Sequence, residues 1–242
     1  MRVVAIIQAR MGSTRLPGKV LMDLGGEPIL VRCANRVARA SLVDEVVIAT
    51  TDNPADNAIA AVSSARGWGC FRGSESDVLD RYYRAACNFE ADVVVRITSD
   101  CPFIDTEVVD RVVGEYLART SDLDYVCNTL PRRTFPRGLD TEVLPFGVLG
   151  RAWQEDRDPK RREHVTPYIW QHPDKFRIHG VVSEIDCSAM RWTVDTPEDL
   201  AFVRRLFMHF GQDAFAWRDA VDVLRCHPDW LEINSHIQQK AI

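Results

Sequence analysis

Val3-Val4-Ala5-Ile6-Ile7-Gln8 runs without a break into Ala9-Arg10-Met11-Gly12-Ser13-Thr14-Arg15-Leu16-Pro17-Gly18-Lys19. Consecutive apolar, largely β-branched residues without polar alternation fit a strand covered on both faces. The segment that follows is rich in Gly, Arg and Lys. In open α/β sheets, ligands bind outside the carboxyl ends of the strands near a topological switch point. A buried strand opening into such a loop therefore predicts both the architecture and the place of its site.

Outward from this stretch the same rhythm repeats. Strand-like runs are read at 45–50 and 92–97, and amphipathic helices at 29–40, 55–65, 77–89 and 106–117. Strands alternating with helices predict an α/β fold, with a mainly parallel central sheet flanked by helices and right-handed crossovers. The functional loops are then 8–19, 51–53 and 98–105. Residues 128–186 break the rhythm with basic, Pro-containing loops, a strand at 142–144, a helix around 164–171 and a strand at 176–182. They are expected to form an insertion or flap, for acceptor binding or dimerisation, within a single domain spanning 1–242. A helix is predicted at 197–210 and more helix from 214 onward.

Composition narrows the class. A chain of 242 residues with 46% hydrophobic and 27% charged residues can bury a full core. The formal net charge of -5 is not the footprint of a nucleic-acid binder. The 7 cysteines are scattered, with no Cys-x-x-Cys pair, so they read as reduced thiols of a cytoplasmic protein. The apolar run at the start is too short for a signal peptide or a membrane span, and no membrane association is expected.

A nucleoside triphosphate needs fixed cations and backbone N–H donors. The 8–19 loop supplies Arg10, Arg15 and Lys19, with Gly12 and Ser13 allowing close backbone approach. It is not a Walker A loop: Gly12 to Gly18 encloses five residues, and Val20 follows Lys19. A solvated basic loop would have the same composition. Asp100 ends a core strand, where a carboxylate can hold Mg²⁺ above the sheet; an Asx-turn before Pro102 is the other reading. Asp195 precedes Thr196-Pro197-Glu198-Asp199, so a helix cap would also explain it.

The pattern Ala9-Arg10-x-x-Ser13-x-Arg15-x-Pro17-x-Lys19 resembles the signature loop of the cytidylyltransferases that make CMP-Kdo and CMP-sialic acids. Residues 8–19 match their spore-coat-polysaccharide-type relatives residue for residue. The resemblance spans about 3–200 and implies a Rossmann-like nucleotide-diphospho-sugar transferase fold. It also implies that Ala9, Arg10, Gly12, Ser13, Arg15 and Lys19 bind CTP, with Arg10 and Lys19 catalytic. Asp100 and Asp195 match the paired Mg²⁺ ligands of the family, which makes them catalytic as well and brings Asp100 to the nucleotide. Arg72-Gly73-Ser74, at a predicted helix start, resembles the segment that contributes to base selection, although Ser74 could equally be a plain cap.

For a small acidic acceptor such as a sugar acid, Gly138-Leu139-Asp140-x-Glu142 and Arg162-Glu163-His164-Val165-Thr166-Pro167-Tyr168 recur in the spore-coat-type relatives. They nominate Arg137, Asp140, Glu142, Glu163 and His164, against the reading of a solvated charged surface. The expected reaction is attack of an acceptor hydroxyl on the α-phosphorus of CTP, with loss of pyrophosphate, in a homodimer serving polysaccharide synthesis. Alternatives are another NTP with a sugar phosphate, CTP activation of a phosphonic acid, or a non-catalytic nucleotide-binding scaffold.

Overall fold

The structure is a computed structural model and describes residues 1–239. Among the described residues, seven strands form one sheet in the order β3-β2-β1-β4-β6-β5-β7. They are β1 (Val3–Gln8), β2 (Glu45–Thr51), β3 (Gly69–Gly73), β4 (Val93–Thr98), β5 (Tyr125–Cys127), β6 (Glu142–Pro145) and β7 (Ile178–Gly180). β1 pairs in parallel with β2 and β4, β2 with β3, and β5 with β7, whereas β6 runs antiparallel to β4 and β5. The mainly parallel α/β sheet expected from the sequence is present.

The helices are α1 (Ile29–Val37), α2 (Asn57–Ala65), α3 (Val78–Asn88), α4 (Thr106–Leu117), α5 (Phe146–Glu155), α6 (Pro159–His164), α7 (Pro167–Trp170), α8 (Pro197–Phe210), α9 (Trp217–Cys226) and α10 (Pro228–Leu231). They cover both faces of the sheet. Val3, Ala5 and Ile7 of β1 enter the core shared with α1, α4, α8 and α9, while Val4 and Ile6 enter the one under α3, α5 and α7. The period-2 pleat thus feeds two cores from one apolar run. Burying each Val, Ile or Leu stabilises by roughly 1.5–3 kcal/mol, so the chain needs no polar face on its central strands.

The helix over 106–117 and that over 197–210 lie where the sequence puts them, each fixed by a side-chain cap. Asp105 accepts from Val108 N–H, and Thr196 and Asp199 form a reciprocal capping box. The first helix stops at Val37 rather than at residue 40. Among the elements with no counterpart in the sequence reading are β3, β5 and α5. β3 is an edge strand of half-buried residues with Arg72 exposed, so it lacks the apolar run that marks β1. Arg72 and Gly73, expected to open a helix, instead pair with Thr50 and Thr51 of β2.

Residues 128–186 supply β6 and β7 to the sheet, and Val143 and Leu144 enter the two cores. The loops between them reach over the carboxyl end of β4. The end of α5 is tied down by Glu155, which accepts from Tyr168 Oη at 2.6 Å and from Arg151 Nε at 2.8 Å. Those bonds, the Tyr168 hydroxyl first, hold the Glu155 carboxyl at about 2, below its ordinary 4.5. A lowered folded-state pKa gives stability that is present above the ordinary value and lost as pH falls through the lowered one. Glu155→Gln is therefore expected to lower the melting temperature at neutral pH, with its gap to wild type closing between about pH 4.5 and 2. A gap that stays constant in thermal melts across that range would disprove it.

Arg36 of α1, 2% exposed, closes the C-terminal side of the fold. It donates to the carbonyls of Ile104, Asp213 and Phe215 at 2.7, 2.6 and 2.7 Å, and pairs with the Asp213 carboxylate at 3.3 Å. Among the described residues, no helix is long and apolar enough to cross a membrane.

Candidate active site

A cleft of about 590 Å³ opens over the carboxyl ends of β1 and β4 and is walled by the 8–19 loop, α3 and the loops of 128–186. Ala9, Arg10, Gly12, Ser13, Arg15 and Lys19 line it, together with Asp100, Arg137, Asp140, Glu142, Glu163, His164 and Asp195. Arg72, Gly73 and Ser74 are outside that lining. Arg72 turns away: its guanidinium donates to the Thr51 and Asn53 carbonyls and to Asn57 Oδ1. Ser74 Oγ accepts from Asp77 N–H at 3.0 Å, so it caps the approach to α3.

The loop after β1 is held from below and behind. Leu16 and Val20 are buried in the core. Asp56 accepts from Met11 N–H at 2.7 Å, and the Met11 carbonyl accepts from Ser13 and Gly18 N–H. Gly18 has φ 71°, in the left-handed region that glycine reaches without steric cost. The turn it makes starts the short 3₁₀ segment Lys19–Leu21 and directs Lys19 inward.

Lys19 Nζ donates to Asp100 at 2.7 Å, to Asp195 at 2.8 Å and to the Val194 carbonyl at 2.8 Å. Burial works against the ammonium charge, but the two carboxylates outweigh it and raise its pKa. Burial likewise disfavours the Asp100 carboxylate, and Lys19 reverses that and holds its pKa below the usual range. The helix cap beside Asp195 is made by Thr196 and Asp199, which leaves the Asp195 carboxylate for other partners. It takes Lys19, Arg15 at 3.0 Å and Arg191 at 2.7 Å. Arg191 also holds Asp199, and is itself braced by the chain's tail. Asn234 Nδ2 donates to the Arg191 carbonyl, and Gln239 accepts from Arg191 Nη1 at 2.6 Å.

Two Asp carboxylates that already share one cation are a hard-oxygen set suited to Mg²⁺, which takes few carboxylates and keeps water or phosphate oxygens besides. Among the described residues no cluster of three or more His, Cys, Asp or Glu forms a self-sufficient metal cage.

The residues nominated for the acceptor line the same cleft. Gly138 has φ 110°, and a Cβ there would sit 2.8 Å from Thr193 N, so only glycine lets this loop close on Trp192–Thr193 beside Asp195. Asp140 is bound by both terminal nitrogens of Arg133. Glu142, 8% exposed, is paired with Arg96 and accepts from Tyr125 Oη at 2.8 Å, so its carboxylate is a floor strut. Glu163 is exposed and lies 3.7 Å from Arg10, a contact of small energetic weight.

Arg137 makes no side-chain hydrogen bond or ion pair among the described residues. Burial, and Arg133 beside it, lower its pKa. His164 ends α6, and the next residue, Val165, is buried with φ 72° and ψ -60°. The bond from Thr166 N–H to the His164 carbonyl closes this tight turn. A β-branched residue there is strained by about 1–3 kcal/mol, as happens at sites where surrounding structure overrides local preference.

Gln8, Arg81, Arg96 and Arg133 also line the cleft, and of these Arg81 and Arg96 lie outside every stretch read as functional from the sequence. Arg96 carried a signal: it is a lone charge inside Val93-Val94-Val95-Arg96-Ile97. Its register partner across the antiparallel pair is Glu142, which no local pattern could supply.

Residues 4–220 match the model of the cytidylyltransferase family, and the chain belongs to that family of nucleotidyltransferases. It is 37% identical over 243 residues to an uncharacterised protein of Methanocaldococcus jannaschii, covering 100% of this chain and 98% of that one. It is 34% identical over 236 residues to the spore coat polysaccharide biosynthesis protein SpsF of Bacillus subtilis, covering 94% and 95%. A 3-deoxy-manno-octulosonate cytidylyltransferase of Trichlorobacter lovleyi is 34% identical over 118 residues, covering 48% of this chain and 46% of that protein. The solved structure of a cytidylyltransferase from Leptospira borgpetersenii superposes with a TM-score of 0.93 at 32% identity, covering 100% of both chains.

Proposed function

We propose that this protein transfers CMP from CTP to a small acidic acceptor, a sugar acid, and releases pyrophosphate. The observation that carries the reading is that one cleft is lined by the Arg10–Arg15–Lys19 loop, its Asp100–Asp195 pair and Arg137, which has no side-chain partner among the described residues. The loop with its acid pair suits a triphosphate. Arg137 suits a carboxylate, which a guanidinium binds bidentately. Membership of the cytidylyltransferase family and the sequence likeness to a 3-deoxy-manno-octulosonate cytidylyltransferase support the same assignment.

In this reading the loop's N–H groups with Arg10 and Arg15 hold the β- and γ-phosphates, and Lys19 neutralises charge near the α-phosphate. Arg137 orients the acceptor so that its hydroxyl attacks the α-phosphorus in line. The new P–O bond forms as the bond to pyrophosphate breaks, and the hydroxyl proton leaves to solvent or a neighbouring base. Catalysis is then positioning and charge stabilisation. Mg²⁺ held by Asp100 and Asp195 would add charge neutralisation at the phosphate oxygens. Calorimetry with CTP, UTP, GTP and ATP in Mg²⁺ tests it before any acceptor is known. CTP is expected to bind at least about tenfold tighter than the others, a gap of about 1.4 kcal/mol. Preference for another nucleotide would discard the CMP chemistry, and no binding would leave a scaffold.

A further inference from the structure

Among the described residues, Lys19, Arg36, Arg81 and Arg191 are the buried cations. Lys19 pairs with Asp100 and Asp195, Arg36 with Asp213, and Arg191 with Asp195 and Asp199. Arg81 has no carboxylate within ion-pair distance among the described residues. It lies on α3, is 1% exposed, and lines the cleft. One terminal nitrogen donates to the Ser74 carbonyl at 2.7 Å, and its Nε is buried without an acceptor.

A buried cation without a counter-charge is costly unless something supplies one. Its surroundings do not. Asp56 and Glu75 favour its charge from a distance, but burial and Arg10 act against it. Asp56 is already engaged by Met11 N–H and Thr51, and Glu75 by Asn53. Holding the Ser74 carbonyl needs one neutral donor, not a guanidinium. What Arg81 and Arg10 share is a place on the cleft wall, where two like charges favour an anion over any neutral group.

We propose that Arg81 is a phosphate-binding residue of the nucleotide site, whose missing counter-charge is an oxyanion of the bound triphosphate, shared with Arg10. This rests on the nucleotide reading above and adds a residue to it from outside the 8–19 loop. The guanidinium is pre-set by Ser74 and fixed by burial, so it loses little freedom when the phosphate arrives.

The test is calorimetric titration of the full chain with CTP, UTP and inorganic pyrophosphate, with folding checked by thermal melting. Arg81→Met is expected to weaken CTP and pyrophosphate alike, by about ten- to hundredfold, and to leave the CTP-to-UTP ratio unchanged. Arg81→Gln keeps a donor for Ser74 and removes the charge. It is expected to do the same, and serves if the Met variant does not fold. Unchanged pyrophosphate affinity in a folded variant overturns the proposal: with a collapsed CTP-to-UTP ratio Arg81 reads the base, and with no change at all it is a prop for the loop. A wild-type protein that binds none of the three probes overturns the nucleotide reading itself, and this proposal with it.

Discussion

Asp195→Asn is expected to lower turnover at saturating CTP by about 10³-fold or more, equivalent to about 4 kcal/mol of lost transition-state stabilisation. The substitution keeps the shape and removes the charge at the point where Lys19, Arg15 and Arg191 converge. An asparagine leaves those cations facing a dipole and takes one of two carboxylates from the proposed Mg²⁺ seat. The fold should survive, because Asp199 still holds Arg191 and Thr196 still caps α8. Pyrophosphate release under saturating CTP and Mg²⁺ measures the effect, with a thermal melt as control. Turnover within tenfold of wild type, in a protein that melts normally, would remove Asp195 from the chemistry.

Arg36→Met should have the largest effect on stability. The side chain is buried and serves three carbonyls and one carboxylate at once, joining α1 to the loop before α4 and to residues 213–215. Methionine fills part of the volume but donates nothing. The carbonyls and the Asp213 carboxylate are then left without the partner that offset their burial, a cost of about 3–5 kcal/mol. For a chain of this size that is roughly a 10 °C fall in melting temperature. A variant melting within about 3 °C of wild type would mean that water or Arg39 replaces those bonds.

The parts of this molecule that could be read beforehand are those whose cause is local. β1 announces itself as an unbroken apolar run, and α4 and α8 carry their caps in the sequence at Asp105 and Thr196. The 8–19 loop could be read because its cations and glycines fall within one short stretch. The parts that escaped depend on partners far along the chain. β3 is a strand because β2 offers it hydrogen bonds, and Glu142 is a strut because Arg96 faces it across a register set by β6. Arg72 and Arg81 show the same limit. Nine residues apart in sequence and alike in charge, one is spent on the β2–α2 turn and the other reaches the cleft. Arg72 lies on β3 and Arg81 on α3, and their partners are set by those elements.

The brace on Arg191 has a practical side. Asn234 and Gln239 lie beyond the stretch 4–220 that defines the family, yet Gln239 is one hydrogen bond from Arg191 and two from Asp195. A fusion partner attached close behind Gln239 would hang beside Asp195, an acid of the proposed chemistry. Residue 1 emerges at the opposite, amino ends of the strands, beside Asp92. Affinity handles and surface tethers belong there, and kinetics recorded on a C-terminally tagged protein should be checked against the untagged chain.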